Sequence, residues 1–303
     1  MPELPDIELY VTRLSERIVG QKLEKLRFYN PFVLRSVGVR PADLEAKTVT
    51  NISRLGKRIV IELEGEYFVV IHLMIAGRFQ WMSPAPSEQK SRGKILLAAL
   101  RFTGGQLGLV ELSTRKRASI HLVHLRGNLN EHRRDGLNVF TATPEEFQER
   151  LQSENRTLKR MLTNPSAFDG IGNAYSDEIL FAAKLSPVRL TKALKPEEVA
   201  RLHQAAKDTL EYWRNKLLVD FVGFPKPGDI TAFRKDFATH GKFKQPCPVC
   251  GSPIQRIVYA ENETNYCAKC QNEGRVLADR SLSRLLKDDW PRTIEEMEEG
   301  QTK

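Results

Sequence analysis

The strongest constraint on this chain is the placement of its four cysteines. All fall between Cys247 and Cys270, as two Cys-x2-Cys pairs, Cys247/Cys250 and Cys267/Cys270, with sixteen residues between the pairs. Four thiolates at this spacing suit a tetrahedral zinc site, with each close pair in a tight turn and the intervening segment in a hairpin. A closed four-sulfur site leaves no open coordination position, so the metal expected is one structural Zn2+. Two disulfides or free thiols form the competing reading, and the confinement of every cysteine to one short module argues against it.

The rest of the composition narrows the partner. The chain has 303 residues, 41% hydrophobic and 28% charged, with a formal net charge of +9. That length allows more than one core. The positive balance favours a polyanion, because lysine or arginine set against phosphate releases counterions. A solvated basic face is the plainer explanation of charge alone. Glu295, Glu296, Glu298 and Glu299 run against the trend and read as a solvated acidic tail. No stretch approaches about eighteen consecutive apolar residues, so no membrane span is expected. The start, MPELPDIELYVTRL, lacks the basic and apolar regions of a secretory signal. The expected location is cytoplasmic, with nucleoid association if the source is bacterial.

Hydrophobic patterning predicts an α+β multidomain chain. Ile7, Tyr10, Leu14 and Ile18 share a helix face that Gly20 can end. Residues 58–64, 67–73, 95–102 and 106–112 read as strands, separated by turn signals at Gly65, Gly77 and Gly104-Gly105. Residues 1–135 are therefore expected to form a β-sandwich with a leading helix. Thr143-Pro144-Glu145-Glu146 has capping-box spacing, and Lys195-Pro196-Glu197-Glu198 opens a second helix carrying Val199, Leu202, Leu210, Trp213 and Leu217. Residues 140–235 are expected to be a helical domain containing a Gly- and Pro-rich, mobile loop at 222–232. Residues 240–273 form the cysteine module and 274–303 an extension, in which Leu277, Leu282, Leu285 and Leu286 predict a further helix packed on the finger or the helical domain.

Two further signals carry chemistry. Gly170-Ile171-Gly172-Asn173 leads into a helix expected near Ala174, and backbone N–H groups at such a start, approached closely over glycine, make an anion site. Asn173 is placed to cap that helix or to donate to a phosphate; a plain inter-helix turn is the competing reading. The second signal is the N-terminus. Removal of Met1 exposes a secondary amine on Pro2. An α-amino group of pKa about 7.7–8.0 is roughly a quarter neutral near neutrality, whereas a lysine is about 0.1% neutral. Attack of such an amine on a sugar C1′ yields a cationic iminium that draws electrons and eases elimination. Glu3 stands beside it to move protons. Basic clusters at Arg54/Lys57/Arg58, Arg115/Lys116/Arg117 and Arg234/Lys235/His240/Lys242/Lys244 complete the pattern, and together with the zinc hairpin they favour nucleic acid.

In order along the chain, Met1-Pro2-Glu3-Leu4-Pro5, Gly56-Lys57, His72-Leu73 before Gly77, Gly170-Ile171-Gly172-Asn173-Ala174-Tyr175, His240-Gly241-Lys242 and the cysteine module resemble the formamidopyrimidine-DNA glycosylase and endonuclease VIII superfamily. The start is closer to the former, since Leu4 stands where endonuclease VIII usually has glycine. The resemblance reaches to about Gln271. It implies a helix-two-turn-helix domain between the sandwich and a zinc-finger hairpin. It also implies a bifunctional enzyme that removes oxidised purines from a flipped position in damaged double-stranded DNA, then cuts the strand by β,δ-elimination. Catalytic roles would fall to Pro2, Glu3 and Lys57. DNA contacts would fall to Asn173 and Lys159, the backbone at Gly170 and Gly172, and Met74, Ile75, Arg115, Lys116 and Arg117. The 222–235 segment would close over the base. A monomer without a small-molecule cofactor is expected.

The chain departs from the family pattern at three places. Asn262 stands where the finger normally carries arginine, with Glu261 and Glu263 beside it, and losing one charged phosphate contact costs about 1.5–3 kcal/mol. Arg256 or Lys269 are neighbouring substitutes. Ile75, beside Met74, takes the methionine position that fills the gap left by a flipped base, and the family's Arg-Phe pair is replaced within Lys116-Arg117-Ala118. The chain also continues about thirty residues past Cys270. Competing functions are an endonuclease VIII-like enzyme for oxidised pyrimidines, a non-catalytic damaged-DNA-binding protein, and an RNA-binding zinc protein. The last lacks an aromatic stacking pattern.

Overall fold

The computed structural model describes residues 1–83, 95–259, 262–278 and 292–296. Glu261, Leu282, Leu285, Leu286, Glu298 and Glu299 lie outside the described residues. Two compact units are present: Met1–Arg134 with Trp213–Ala232, and Asp135–Tyr212 with Phe233 onward.

The first unit is the expected β-sandwich with a leading helix. Helix α1 (Leu4–Ile18) carries Pro5 in its first turn, where a missing N–H costs nothing, and buries Ile7, Leu9, Tyr10, Leu14 and Ile18. The helix α2 (Pro41–Leu44) is a single turn. Strands β1 (Leu23–Phe28), β2 (Val49–Leu55), β3 (Arg58–Leu63), β4 (Tyr67–His72), β5 (Gly77–Met82), β6 (Leu96–Phe102), β7 (Gly105–Glu111) and β8 (Ser119–His124) form two four-stranded sheets. Their orders are β1-β6-β7-β5 and β2-β3-β4-β8, with every pairing antiparallel. The inner faces and α1 share one core. Gly77, read from sequence as a turn signal, instead opens β5. A Cβ there would lie 2.3 Å from the Leu73 carbonyl oxygen, so only glycine lets the chain turn back from β4.

The second unit is helical and ends in the finger. Helices α3 (Pro144–Gln152), α4 (Leu158–Leu162) and α5 (Asn173–Ala182) precede the long α6 (Pro196–Asp220). The Thr143 hydroxyl accepts from the Glu146 N–H, and the Glu146 carboxylate accepts from the Thr143 N–H, which completes the predicted capping box. The finger hairpin is β9 (Gln255–Tyr259) with β10 (Asn262–Tyr266), followed by the one-turn helix α7 (Ala268–Asn272). Beyond it, Arg275 bridges Thr293, and Ile294 is buried with Tyr266, Ala268, Val276 and Leu277. The described parts of the extension thus pack on the finger.

The loop at 222–232, expected to be mobile, is anchored within the first unit. Ile230 is buried in the core, Phe224 packs on Tyr10 and Trp81, and the Ile230 carbonyl accepts from Arg78 Nε at 2.7 Å. Arg13 donates to the Leu218 and Phe221 carbonyls, satisfying the end of α6 with a cation where the helix dipole favours one. Among the described residues no helix is long and apolar enough to cross a membrane.

Candidate nucleic-acid site and zinc centre

In the first unit the site begins at the N-terminus. Pro2 is buried and Glu3 is 3% exposed. Glu3 is the N-cap of α1: its N–H donates to Asp6 Oδ2 at 2.9 Å, and its carbonyl accepts from Ile7 N at 2.9 Å. The two bonds fix the chain direction at Pro2. Burial pushes the Met1 amine below its ordinary value of 8.0; Glu3 and Asp6 oppose the shift, while Arg78 and Lys57 add to it. The structure therefore brings Glu3, Lys57 and two unpredicted groups, Asp6 and Arg78, to bear on one amine.

Lys57 sits in the two-residue turn Gly56-Lys57, flanked by the paired residues Leu55 and Arg58. Gly56 has φ +62°, the left-handed first position that a tight hairpin turn requires. Arg54 Nε donates to Glu8 Oε1 at 2.6 Å, and its Nη1 donates to the Gly56 carbonyl at 3.3 Å. Helix α1 thus holds the turn that presents Lys57. His72, at the end of β4, is pushed down to about 4, by burial first and then by Arg58, Lys57, Arg134 and His121. It is neutral near pH 7.

The two loops expected to touch bases are also in the first unit. Arg78 Nη1 donates to the Ile75 and Gly77 carbonyls, and Met74 has φ +53°, so the β4–β5 loop is tightly folded with Ile75 exposed. After β7, the buried Glu111 carboxylate accepts from Arg117 N at 2.9 Å and Ala118 N at 3.2 Å. Arg115 and Arg117 are exposed. Lys116, expected to face DNA, instead turns its ammonium back onto the Glu111 carbonyl.

In the second unit Gly170 has φ +76° and Ile171 is buried, which turns the chain sharply into α5. Gly172 is the N-cap of α5 and Asn173 its first residue, so Asn173 does not cap the helix. Its side-chain amide donates instead to the Glu263 carbonyl of β10 at 2.8 Å. Lys159, expected to assist in holding DNA, already has partners: its ammonium donates to the Asn173 carbonyl and to Asp177 Oδ1, both at 2.6 Å.

Asp177 and Glu178 organise what surrounds them. The Asp177 side chain is 0% exposed and also meets His240 Nδ1 at 2.7 Å and Asn265 N at 3.1 Å. The Glu178 carboxylate accepts from the N–H groups of Ala238, Thr239 and His240 and from the Thr239 hydroxyl. Gly241 N donates to Asn265 Oδ1 at 2.8 Å. Helix α5, the 238–241 segment and β10 are thereby tied into one polar frame. His240, which the sequence placed in a basic cluster, is a buried member of it.

The four cysteine sulfurs lie within 4.8 Å of one another, with Cys247–Cys270 at 3.9 Å and Cys250–Cys267 at 3.4 Å. A tetrahedral zinc with bonds of about 2.3 Å needs sulfurs roughly 3.8 Å apart. The set fits one structural zinc. Asn262 is exposed opposite Tyr259 at the start of β10. Arg256 stands on the partner strand with its guanidinium 4.2 Å from the Phe243 ring centroid and 3.5 Å from Glu263. Lys269 is exposed.

Comparison with known proteins gives matches along most of the chain. The formamidopyrimidine-DNA glycosylase N-terminal domain matches residues 1–120, the H2TH domain of the same enzyme matches 137–213, and the zinc finger found in FPG and IleRS matches 244–272. The formamidopyrimidine-DNA glycosylase of Symbiobacterium thermophilum is 30% identical over 296 residues, covering 92% of this chain and 93% of that protein. A crystal structure of the same enzyme from Thermus thermophilus superposes with a TM-score of 0.74 at 30% identity, covering 90% of this chain and all of that one. The Lactococcus lactis enzyme in complex with DNA containing an abasic site superposes at 0.77 with 25% identity, covering 89% and 99%. The same enzyme bound to DNA containing an oxidised pyrimidine gives 0.77 and 26%, covering 89% and 100%. With a leading-helix β-sandwich, an H2TH domain and a four-cysteine finger in this order, the chain belongs to the formamidopyrimidine-DNA glycosylase family.

Proposed function

We propose that the chain is a bifunctional base-excision repair enzyme acting on oxidised purines, formamidopyrimidines and 8-oxoguanine, in duplex DNA. The observation that carries this reading is the burial of Pro2 at the start of α1, directly before the buried Glu3 whose backbone is fixed by Asp6 and Ile7. With Met1 removed, the Pro2 nitrogen attacks C1′ of the damaged nucleoside, and the C1′–N bond to the base breaks. Glu3 supplies the proton that opens the sugar ring and manages those that follow. The resulting iminium at C1′ acidifies C2′, so the 3′ phosphate leaves by β-elimination and the 5′ phosphate by δ-elimination. Lys57 supports the sugar or its phosphate from the Gly56-Lys57 turn. Asn173, the Gly170–Gly172 turn and the finger hold the backbone. In this division residues 1–134 with 213–232 carry the chemistry, while 135–212 and the finger at 240–273 grip the DNA as parts of a monomer.

Activity on oxidised pyrimidines is the second reading; the Lactococcus lactis complex with such DNA favours including it. The test of the primary reading is borohydride trapping on a duplex with one abasic site, using protein with and without a retained residue before Pro2. A covalent adduct that requires a free Pro2 is expected. Normal DNA binding with no adduct would make the chain a damage-binding protein without chemistry.

A further inference from the structure

A cavity of about 470 Å³ lies at the β8 edge of the β2-β3-β4-β8 sheet, and none of the residues assigned above lines it. Its polar wall comes from two segments packed on β8 within the first unit. Residues 34–36 are zipped onto the strand: Leu34 bridges Ile120 in parallel, Arg35 N donates to the Ile120 carbonyl at 2.9 Å, and Leu122 N donates to the Ser36 hydroxyl at 2.7 Å. This sets Arg35 beside His121. The 3₁₀ helix Arg126–His132 follows β8, and Arg58 Nη1 donates to the His132 carbonyl at 3.2 Å. The His132 ring there meets the His121 ring at a centroid distance of 4.6 Å.

Three nitrogen-bearing groups thus converge without a carboxylate to answer them. Among the described residues the Arg35 guanidinium makes no ion pair or hydrogen bond, and neither imidazole makes a hydrogen bond. Burial, then His132, Arg58 and Arg35, push His121 down to about 4. Burial and Arg58 lower His132 as well, opposed only by the exposed Glu131. His72 on β4 lies in the same positive field, to which Arg134 adds, and His124 is stacked on Tyr67. A guanidinium without a counter-ion and two imidazoles held neutral are what an anion would satisfy, since all three can donate to it. The rest of the lining includes Val37, Val39 and Leu125, with Val37 99% and Leu125 51% exposed.

We propose that this cavity binds the phosphate group of a nucleotide, held by Arg35, His121 and His132, with the attached sugar and base against Val37, Val39 and Leu125. The volume falls within the roughly 300–1,000 Å³ of small-molecule sites and exceeds what an inorganic anion needs. Arginine suits phosphate because its planar fork donates two parallel bonds. The apolar walls give the remainder of the ligand surface to cover. A free nucleotide and a DNA strand present the same phosphate chemistry to these three groups.

The experiment uses the full-length zinc-loaded protein with deoxyadenosine monophosphate as the probe, at constant ionic strength, followed through the histidine C2–H NMR resonances. The chain has 6 histidines, so each resonance is assignable from single-histidine variants. A saturable shift of the His121 and His132 resonances is expected, with the His121 midpoint raised, because an anion favours the charged ring. Deoxyadenosine, which lacks the phosphate, should shift neither. Arg35→Ala should weaken binding by about tenfold or more, as loss of a charge-assisted hydrogen bond implies, and Arg35→Lys should keep part of the affinity. A short undamaged duplex separates the two sources. Displacement of the nucleotide with the His121 and His132 shifts retained assigns the site to strand phosphate. Unchanged nucleotide binding in the duplex-saturated protein assigns it to a free nucleotide. Equal shifts from deoxyadenosine, full affinity in Arg35→Ala, or no shift from nucleotide or duplex overturns the proposal.

Discussion

The side-chain amide of Asn173 donates to the backbone carbonyl of Glu263 over 2.8 Å, across ninety residues of sequence. The first residue of α5 thereby fixes the finger strand that carries Asn262. Asn173→Ala removes that bond and leaves the Glu263 carbonyl to seek another donor, a loss of about 1 kcal/mol or roughly fivefold in affinity. Anisotropy on an abasic-analogue duplex should show this drop with zinc content unchanged. Equal affinity would mean that Asp177 and the Gly241–Asn265 bond hold the finger unaided.

The nucleophile sets a pH dependence. It is the neutral Pro2 amine, and Pro2 is buried, where desolvation favours the neutral form. Adduct formation on a preformed abasic site should therefore rise with pH through the titration of the amine and level off above it. A carboxylate beside an amine favours its charged form, so Glu3→Gln should move the midpoint to lower pH even as it slows base removal. Borohydride trapping across a pH series reads both effects. A midpoint that stays where it is in Glu3→Gln would mean that Glu3 does not act on the amine.

What was legible in the sequence divides along physical lines. Strands β3, β4, β6 and β7 were readable because they bury nearly continuous apolar runs. Strands β1 and β2 were not. Each has a register shift near its start, between Leu23 and Lys25 and between Val49 and Asn51, which puts Leu23 with Leu26 and Val49 with Ile52 at helix-like spacing. In the site, the cysteines and the Gly170–Asn173 turn were plain because their spacing is local. Asp177 was not, since a single acid in a helix reads as a solvated face, and its partners His240 and Asn265 lie 63 and 88 residues away. Asn173 was placed one position out because Gly172, with φ −132° and ψ −158°, takes the cap.

Zinc removal should act through the same frame. The cysteines close the base of the β9–β10 hairpin, and metal binding is folding energy for such modules. Chelation, verified by zinc content, should unfold the hairpin, release Asn173 from Glu263 and weaken binding to duplex DNA by more than Asn173→Ala alone does. Retained affinity in metal-free protein would show that the finger contributes nothing to the grip on DNA.

The last prediction concerns the buried carboxylate at the centre of the second unit. Asp177 accepts from the Lys159 ammonium, the Asn265 N–H and the His240 ring, with no solvent to replace any of them. A buried ion pair adds little beyond what desolvation costs, but removing one partner strands the other charge. Asp177→Ala should therefore lower unfolding free energy by about 3–5 kcal/mol, measured by chemical denaturation of zinc-saturated protein. Asp43 pairs with Arg40 at 2.8 Å at the surface and accepts from the Arg40 N–H at 2.9 Å, and Asp43→Ala should shift the midpoint far less than Asp177→Ala, since solvent screens that pair and can replace the capping bond. Comparable losses for the two variants would mean that Lys159 and His240 reach water when Asp177 is gone, and that the frame between α5 and β10 is looser than its hydrogen bonds indicate.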